Sequence, residues 1–285
     1  MPRTAYVNGR YVPHGEAVVH IEDRGYQFAD GVYEVIAVHG GRLVDTDGHL
    51  DRLDRSLREM RMAWPLGRRA LGVVLSEVVR RNGFRDATLY LQVTRGVAPR
   101  DHAFPAHAGS SLVVTVRRRP PFDKAVQAKG VAVVTVPDIR WKRCDIKTIS
   151  LIANVMAKQA AKEKGAYEAW LVDAEGRVTE GSSSNAWIVT KGGDLVTRHL
   201  DEGILGGITR AVLLRLMKEE GIRFAERPFT MAEAKVAREA FATGSTTLVK
   251  PIVSLDGKKV GDGKPGPVAL RLLDLYVEHM EGRLP

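Results

Sequence analysis

The chain has 285 residues, 44% of them hydrophobic and 27% charged, which suits a globular protein with one large core or two moderate ones. No stretch approaches the roughly 20 apolar residues that span a bilayer, and the opening MPRTAYVNGRYVP has no apolar signal core. One cysteine excludes an internal disulfide and makes a cytoplasmic location the expectation; the net charge of +9 is spread along the chain, which favours a surface that steers anions over a nucleic-acid interface.

The elements follow in order. AYVNGRYV predicts a hairpin turning at Asn8-Gly9, and GVYEVIAVHGGRLV a second one turning at Gly40-Gly41. Residues 48–60 predict a helix with Leu50, Leu53, Leu57 and Met60 on one face. A further helix runs through LGVVLSEVVRRNG and stops at Gly83. ATLYLQVTRG and SSLVVTVRRR alternate as strands, and Pro120-Pro121 break the pattern, so a linker is expected near 118–127. Two parts result: a small α+β domain over 1–120, and a larger domain over 121–285 that carries Lys147.

The second part opens on the strand GVAVVTVPDIRW, followed by the helix LIANVMAKQAAKEKG. Two hairpin-like pieces cover 168–200, with Glu180 in a turn between strands. A helix runs from near Ile208 to Gly221, EAFATGS is a short strand, and a last helix starts at Pro267. Strands and helices mix without regular βαβ alternation, so the fold class is α+β rather than a doubly wound sheet.

Several motifs fail. GDGKPG (261–266) matches G-x-G-x-x-G, but Pro265 sits inside it and too little chain follows for a βαβ unit. The eight histidines show no HExxH pair, the serines of EGSSSN no G-x-S-x-G elbow, and DTDGH lacks the distal Glu of a calcium loop. No metal site is expected. Arg52, Arg140, Lys142 and Arg143 count among the dispersed surface cations.

What remains points one way. Lys147 lies between Ile146 and Ile149, after a strand and before a helix, where desolvation would free an amine as a nucleophile; taken singly it reads as a surface lysine. GILGGITR brings small residues to a helix start at Ile208-Thr209, which suits a phosphate or is a plain Gly-rich helix start. ATGSTT (242–247) is a second small-and-hydroxyl loop for oxyanions, or an ordinary polar turn. Glu180 pairs with a protonated ring nitrogen or faces water. Together these are the parts of a pyridoxal phosphate site: an imine donor, a phosphate cup and a partner for the pyridine nitrogen.

The blocks EDRGYQFADGVYEV, LYLQVTRGVAPRDHAFP, DIRWKRCDIKTIS, VTEGSSSN and GITR, in this order, resemble the fold-type IV pyridoxal phosphate aminotransferases, and most of all their D-amino acid branch. The resemblance implies a two-domain fold, with a small α/β sandwich domain and a larger pseudo-barrel domain and the cofactor between them. It implies that Lys147 holds pyridoxal 5'-phosphate as an internal aldimine and moves the proton between Cα and C4′. Glu180 corresponds to the pyridine-nitrogen partner and Arg52 to the phosphate arginine. Ile208, Thr209 and Ser245 correspond to phosphate contacts, and Leu205 to the residue packed on one face of the ring. Arg100 and His102 match the R-x-H pair that traps the substrate α-carboxylate with Tyr33, from a loop (96–105) reaching the neighbouring subunit of a homodimer.

The implied reaction is ping-pong transamination, through aldimine and ketimine, between D-amino acids (D-alanine, D-glutamate, D-aspartate) and 2-oxo acids. Gly244 departs from the hydroxyl residue common in that branch. The branched-chain branch carries a tyrosine five residues after the lysine, and here that position is Ile152. This and the R-x-H pair count against the alternatives on the same fold: an (R)-selective amine transaminase, an L-branched-chain transaminase or an aminodeoxychorismate-type lyase.

Overall fold

A computed structural model describes residues 3–284. The chain forms two compact units. One runs up to Pro121 and takes in Ile146–Ser150; the other comprises Phe122–Asp145 and the chain from Leu151 on.

The first unit holds strands β1 (Thr4–Val7), β2 (Arg10–Pro13), β3 (Gly31–His39), β4 (Arg42–Leu43), β5 (Ala87–Thr94) and β6 (Ser111–Arg118), with helices α1 (Arg24–Phe28), α2 (Thr46–Glu59) and α3 (Arg68–Asn82). The strands form one antiparallel sheet in the order β2-β1-β6-β5-β3-β4. Both expected hairpins are present, with Val7 opposite Arg10 and His39 opposite Arg42. At the first turn Asn8 and Gly9 both take positive φ, 44° and 93°, the mirror-image turn that matches strand twist. β3 alternates strictly on one face, burying Val32, Glu34, Ile36 and Val38. Leu53 and Leu57 of α2 and Leu71, Leu75 and Val78 of α3 close that face into a core. Gly83 ends α3 in the left-handed region, as expected.

The second unit contains α4 (Lys124–Ala128), β7 (Val131–Pro137), α5 (Ile152–Glu163), β8 (Glu168–Val172), β9 (Arg177–Gly181), β10 (Asn185–Val189), β11 (Leu195–Thr197), α6 (Ile208–Glu219), β12 (Phe224–Glu226), β13 (Phe229–Thr230), α7 (Met231–Lys235), β14 (Glu239–Gly244), β15 (Leu248–Leu255), β16 (Lys258–Lys259) and α8 (Pro267–Met280). Its sheet runs β12-β11-β10-β14-β15-β7-β8-β9-β13, with β16 on β15. A short turn, 182–184, joins β9 to β10, yet β14, β15, β7 and β8 lie between them in the sheet order. Only a sheet that curls round on itself meets both conditions. Inside the curl pack Trp170, Ile188, Ala242 and Ile252. Ala157 and Ala161 of α5 cover Ala169 and Leu171 from outside. This is the mixed, two-domain α+β architecture expected from the element order.

Two expectations are corrected. Lys147 belongs to the first unit, not the second, because backbone bonds tie its segment to β3: Tyr33 N donates to Lys147 O (3.0 Å) and Ile149 N to Gly31 O (3.0 Å). Glu180 sits within β9, not in a turn. β15 lies inside the sheet order although it carries Pro251. The parallel ladder to β7 pairs Ile252 and later residues, so the missing Pro251 N–H costs no bond there.

Candidate active site

In the first unit the relevant side chains share β3. Side chains alternate across a strand, so Tyr33 and Glu34 face opposite sides of the sheet. The Lys147 amine lies 4.1 Å from the Tyr33 ring centroid, and the Lys147 amide donates to Ser56 Oγ (3.4 Å). Tyr33 in turn packs on Tyr90, ring centroids 5.8 Å apart, and burial pushes the Tyr90 hydroxyl up to about 12. The amine is thus set on an aromatic face, with its backbone fixed on both sides.

On the other face Glu34 is fully buried. Arg52 grips it with a fork, Nε to Oε1 at 2.8 Å and Nη2 to Oε2 at 2.7 Å. His49 Nδ1 meets Oε2 at 2.6 Å. Burial alone would raise the Glu34 pKa, but the Arg52 charge and hydrogen bonds bring it down to about 2. Burial lowers the His49 pKa, against Glu34, so the imidazole is neutral and donates its Nδ1–H. Arg52, a surface cation by its sequence context, is therefore held inside with its guanidinium oriented by Glu34. Sequence reasoning missed Glu34 and His49, although the parity of β3 places Glu34 among inward-facing residues.

Arg100 and His102 lie on an exposed loop and flank Phe28: the Arg100 guanidinium carbon is 5.0 Å from its ring centroid and the His102 ring 5.3 Å. Both pack on the Phe28 ring.

In the second unit the site centres on Glu180, which is 5% exposed. Arg140 Nη1 donates to Oε1. Asn185 Nδ2 and the Leu205 amide each donate to Oε2 at 3.1 Å, and Asn185 also reaches Leu205 O (2.9 Å). Arg140 is no surface cation: it is buried and binds Asp138 through Nε (2.9 Å) and Nη2 (2.7 Å). Burial works against its charge, yet Asp138 and Glu180 raise its pKa above the ordinary value. For Glu180 burial prevails and pushes the pKa up, opposed by Arg140 and the Leu205 N–H. Arg140 and Asn185 escaped the sequence reading; the Asp138-x-Arg140 spacing directly after β7 was the available signal.

The phosphate candidates gather around the same residues. α6 starts at Ile208, and Gly207 caps it without a side-chain acceptor, so its first-turn N–H groups point outward. A Cβ at Gly207 would stand 2.0 Å from Asn185 Oδ1, so any side chain there would have to displace Asn185. Thr209 is buried, its hydroxyl 3.4 Å from that of Tyr276. Ser245 is half-buried in the turn between β14 and β15. That turn adjoins the serine turn: a Cβ at Gly244 would lie 3.5 Å from Ser183 O, ordinary contact that leaves room for a side chain. Asn185 stands opposite Thr243 in the ladder. VTEGSSSN, GILGGITR and ATGSTT therefore converge in one place.

The residues present fit a phosphorylated pyridine. A carboxylate has about four acceptor positions, and Glu180 uses three on Arg140, Asn185 and Leu205, which leaves one for a pyridinium N–H. A helix N-terminus and a hydroxyl turn beside it suit the phosphate dianion.

Comparison with known proteins agrees. The model of the class IV amino-transferase family matches residues 31–255. A D-alanine aminotransferase of Bacillus licheniformis is 44% identical over 262 residues, 92% of this chain and 91% of that protein. Its counterpart from Staphylococcus haemolyticus is 38% identical over 280 residues, 98% of each. Among solved structures, the branched-chain amino acid aminotransferase of Thermobaculum terrenum in its PLP form superposes with a TM-score of 0.85 at 25% identity, over 99% of this chain and 95% of that one. The chain belongs to the class IV aminotransferase family.

Proposed function

We propose that the protein is a pyridoxal phosphate-dependent transaminase that moves the amino group between D-amino acids and 2-oxo acids. The carrying observation is Glu180, a buried carboxylate braced by Arg140, Asn185 and the Leu205 amide with one acceptor position open. The 37–44% identity to D-alanine aminotransferases over nearly the whole chain supports the D-amino acid branch.

Pyridoxal phosphate supplies an electron sink for the substrate carbanion and carries the amino group. Lys147 would hold the cofactor by its amine, and that amine would be the base that moves the substrate Cα proton. The Tyr33 ring keeps that amine in place. Glu180, its Oε1 bound by Arg140, would accept the N–H of a protonated pyridine nitrogen. Leu205 would pack on one face of the ring. Arg52, oriented by Glu34, joins the N–H groups at Ile208 and Thr209 and the Ser245 turn in binding phosphate. Tyr33, Arg100 and His102 grip the substrate carboxylate, a guanidinium being suited to bidentate contact. In this reading the protein is a homodimer, and loop 96–105 serves the neighbouring site. No helix among the described residues is long and apolar enough to cross a membrane. The lone Cys144 forms no disulfide, in keeping with a cytoplasmic location.

An L-branched-chain reading draws on the solved structures, but their identity is lower, 22–28% for the branched-chain enzymes compared. Ile152, at the start of α5, stands where that branch carries tyrosine. The visible spectrum of the holoenzyme, titrated with D-alanine and separately with L-leucine, decides between them. D-alanine alone is expected to bleach the cofactor band. Bleaching by L-leucine alone would overturn the D-amino acid assignment, and no band after added pyridoxal phosphate would overturn the cofactor reading. Lys147→Ala is expected to cut turnover by several orders of magnitude.

A further inference from the structure

Loop 96–104 is bound at many points to the short segment 22–28, about seventy residues earlier in the chain. Asp23 and Val97 form an antiparallel bridge. The Arg24 amide donates to Gly96 O (2.9 Å), and the Ala98 amide to Glu22 O (3.4 Å). The Arg24 side chain is 3% exposed. Its Nε binds Asp30 Oδ2 (2.8 Å), Nη1 reaches Asp101 O (2.5 Å) and Nη2 reaches His102 O (3.4 Å). One guanidinium thus clasps two successive carbonyls of the loop, including that of His102.

The aromatic contacts repeat the pattern. The Phe28 ring takes the Arg24 guanidinium at 4.8 Å, Arg100 at 5.0 Å and the His102 ring at 5.3 Å. Farther along the loop, Phe104 receives Arg95 at 3.6 Å. Arg95 shares Asp30 with Arg24 (2.7 and 2.9 Å). Burial would raise the Asp30 pKa, but the two guanidiniums hold it below the usual carboxylate range, so the anchor stays charged. All six nitrogens of the two buried guanidiniums serve one carboxylate and the surrounding carbonyls. A group satisfied this fully is rigid and expensive to rearrange.

We propose that Arg24, with Phe28 beneath it, is a positioning residue that holds the Arg100–His102 loop in the shape that grips the substrate α-carboxylate. It touches neither substrate nor cofactor. Its effect is on recognition of carboxylate-bearing substrates, in whichever subunit's site the loop serves. The inference rests on the assignment of Arg100 and His102 as the carboxylate trap.

The test compares Arg24→Met, Arg24→Lys, Phe28→Leu and Arg100→Ala holoenzymes. Arg24→Met is expected to raise KM for D-alanine about tenfold or more, the scale of a loop misplaced by about an ångström, while kcat falls less. Reaction of the bound cofactor with methoxyamine, which lacks a carboxylate, should change less than about twofold. Hydrogen exchange over 96–104 should quicken. Arg24→Lys, which keeps the charge and one donor to a carbonyl, should recover part of the KM. If Arg24→Met fails to fold, Phe28→Leu leaves the Arg24–Asp30 pair intact and should show the same split between D-alanine and methoxyamine. An unchanged KM in the folded Arg24 or Phe28 variant, with KM raised in Arg100→Ala, overturns the positioning role and leaves the trap. Equal losses with D-alanine and methoxyamine also overturn it. An unchanged KM in Arg100→Ala overturns the trap reading itself.

Discussion

Replacing Glu34 with Gln should destabilise the protein by roughly 3 kcal/mol at pH 7, and two routes lead to that value. A fall in the Glu34 pKa from 4.5 to about 2, at about 1.4 kcal/mol per pH unit, corresponds to roughly 3 kcal/mol of preference for the ionised form in the folded state. Independently, removing one partner of a buried ion pair costs about 3–5 kcal/mol, and here Glu34 is the fully buried partner of the 9%-exposed Arg52. Since the folded pKa is depressed, this stability is fully present above about pH 4.5 and is lost as pH falls through about 2. Urea unfolding of the cofactor-free protein, followed by circular dichroism from pH 7 to pH 3, reads both effects. The wild type should weaken on acidification more than the variant, and the gap between them should narrow. A variant within about 1 kcal/mol of wild type at pH 7, or a gap constant with pH, would refute the reasoning. Glu34 also fixes Arg52 through two bonds, so pyridoxal phosphate should bind the variant more weakly.

Arg140→Met leaves Glu180 and Asp138 without their cation, and should lower both turnover and the unfolding midpoint. Their carboxyl pKa values then rise, so the deficit against wild type should shrink as pH is lowered from 8 to 5. A deficit independent of pH would show that the pair does not govern Glu180. Gly207→Ala pushes a methyl group into Asn185 Oδ1, with 2.0 Å available; an expected cost of about 1–3 kcal/mol and a weaker affinity for pyridoxal phosphate are measured by unfolding and fluorescence titration. Gly244→Ala, where the nearest atom is 3.5 Å away, is the matched control for stability. Equal effects of the two substitutions would contradict the packing argument.

Local physics made much of the molecule legible in its sequence. Asn8-Gly9 specifies its mirror turn within two residues. The 3.6-residue spacing of Leu50, Leu53 and Leu57 specifies a helix face, and Gly83 specifies where a helix stops. The family blocks named Lys147, Glu180 and the R-x-H pair because those residue types stand at fixed offsets from recognisable neighbours. Tertiary structure alone decided what holds them. Arg140 sits in a run of basic residues and looks solvent-exposed; only the curl of the second sheet buries it against Glu180. Arg52 on α2 meets Glu34 on β3 across eighteen residues of sequence, and Lys147 joins β3 more than a hundred residues after it. Arg24 and the loop at 100–104 lie about seventy-five residues apart and touch only when folded. The reason is physical: turns and helix faces depend on neighbours within a few positions, whereas the pairing of a buried charge depends on which distant strand delivers its partner, and a single sequence carries no local mark of that.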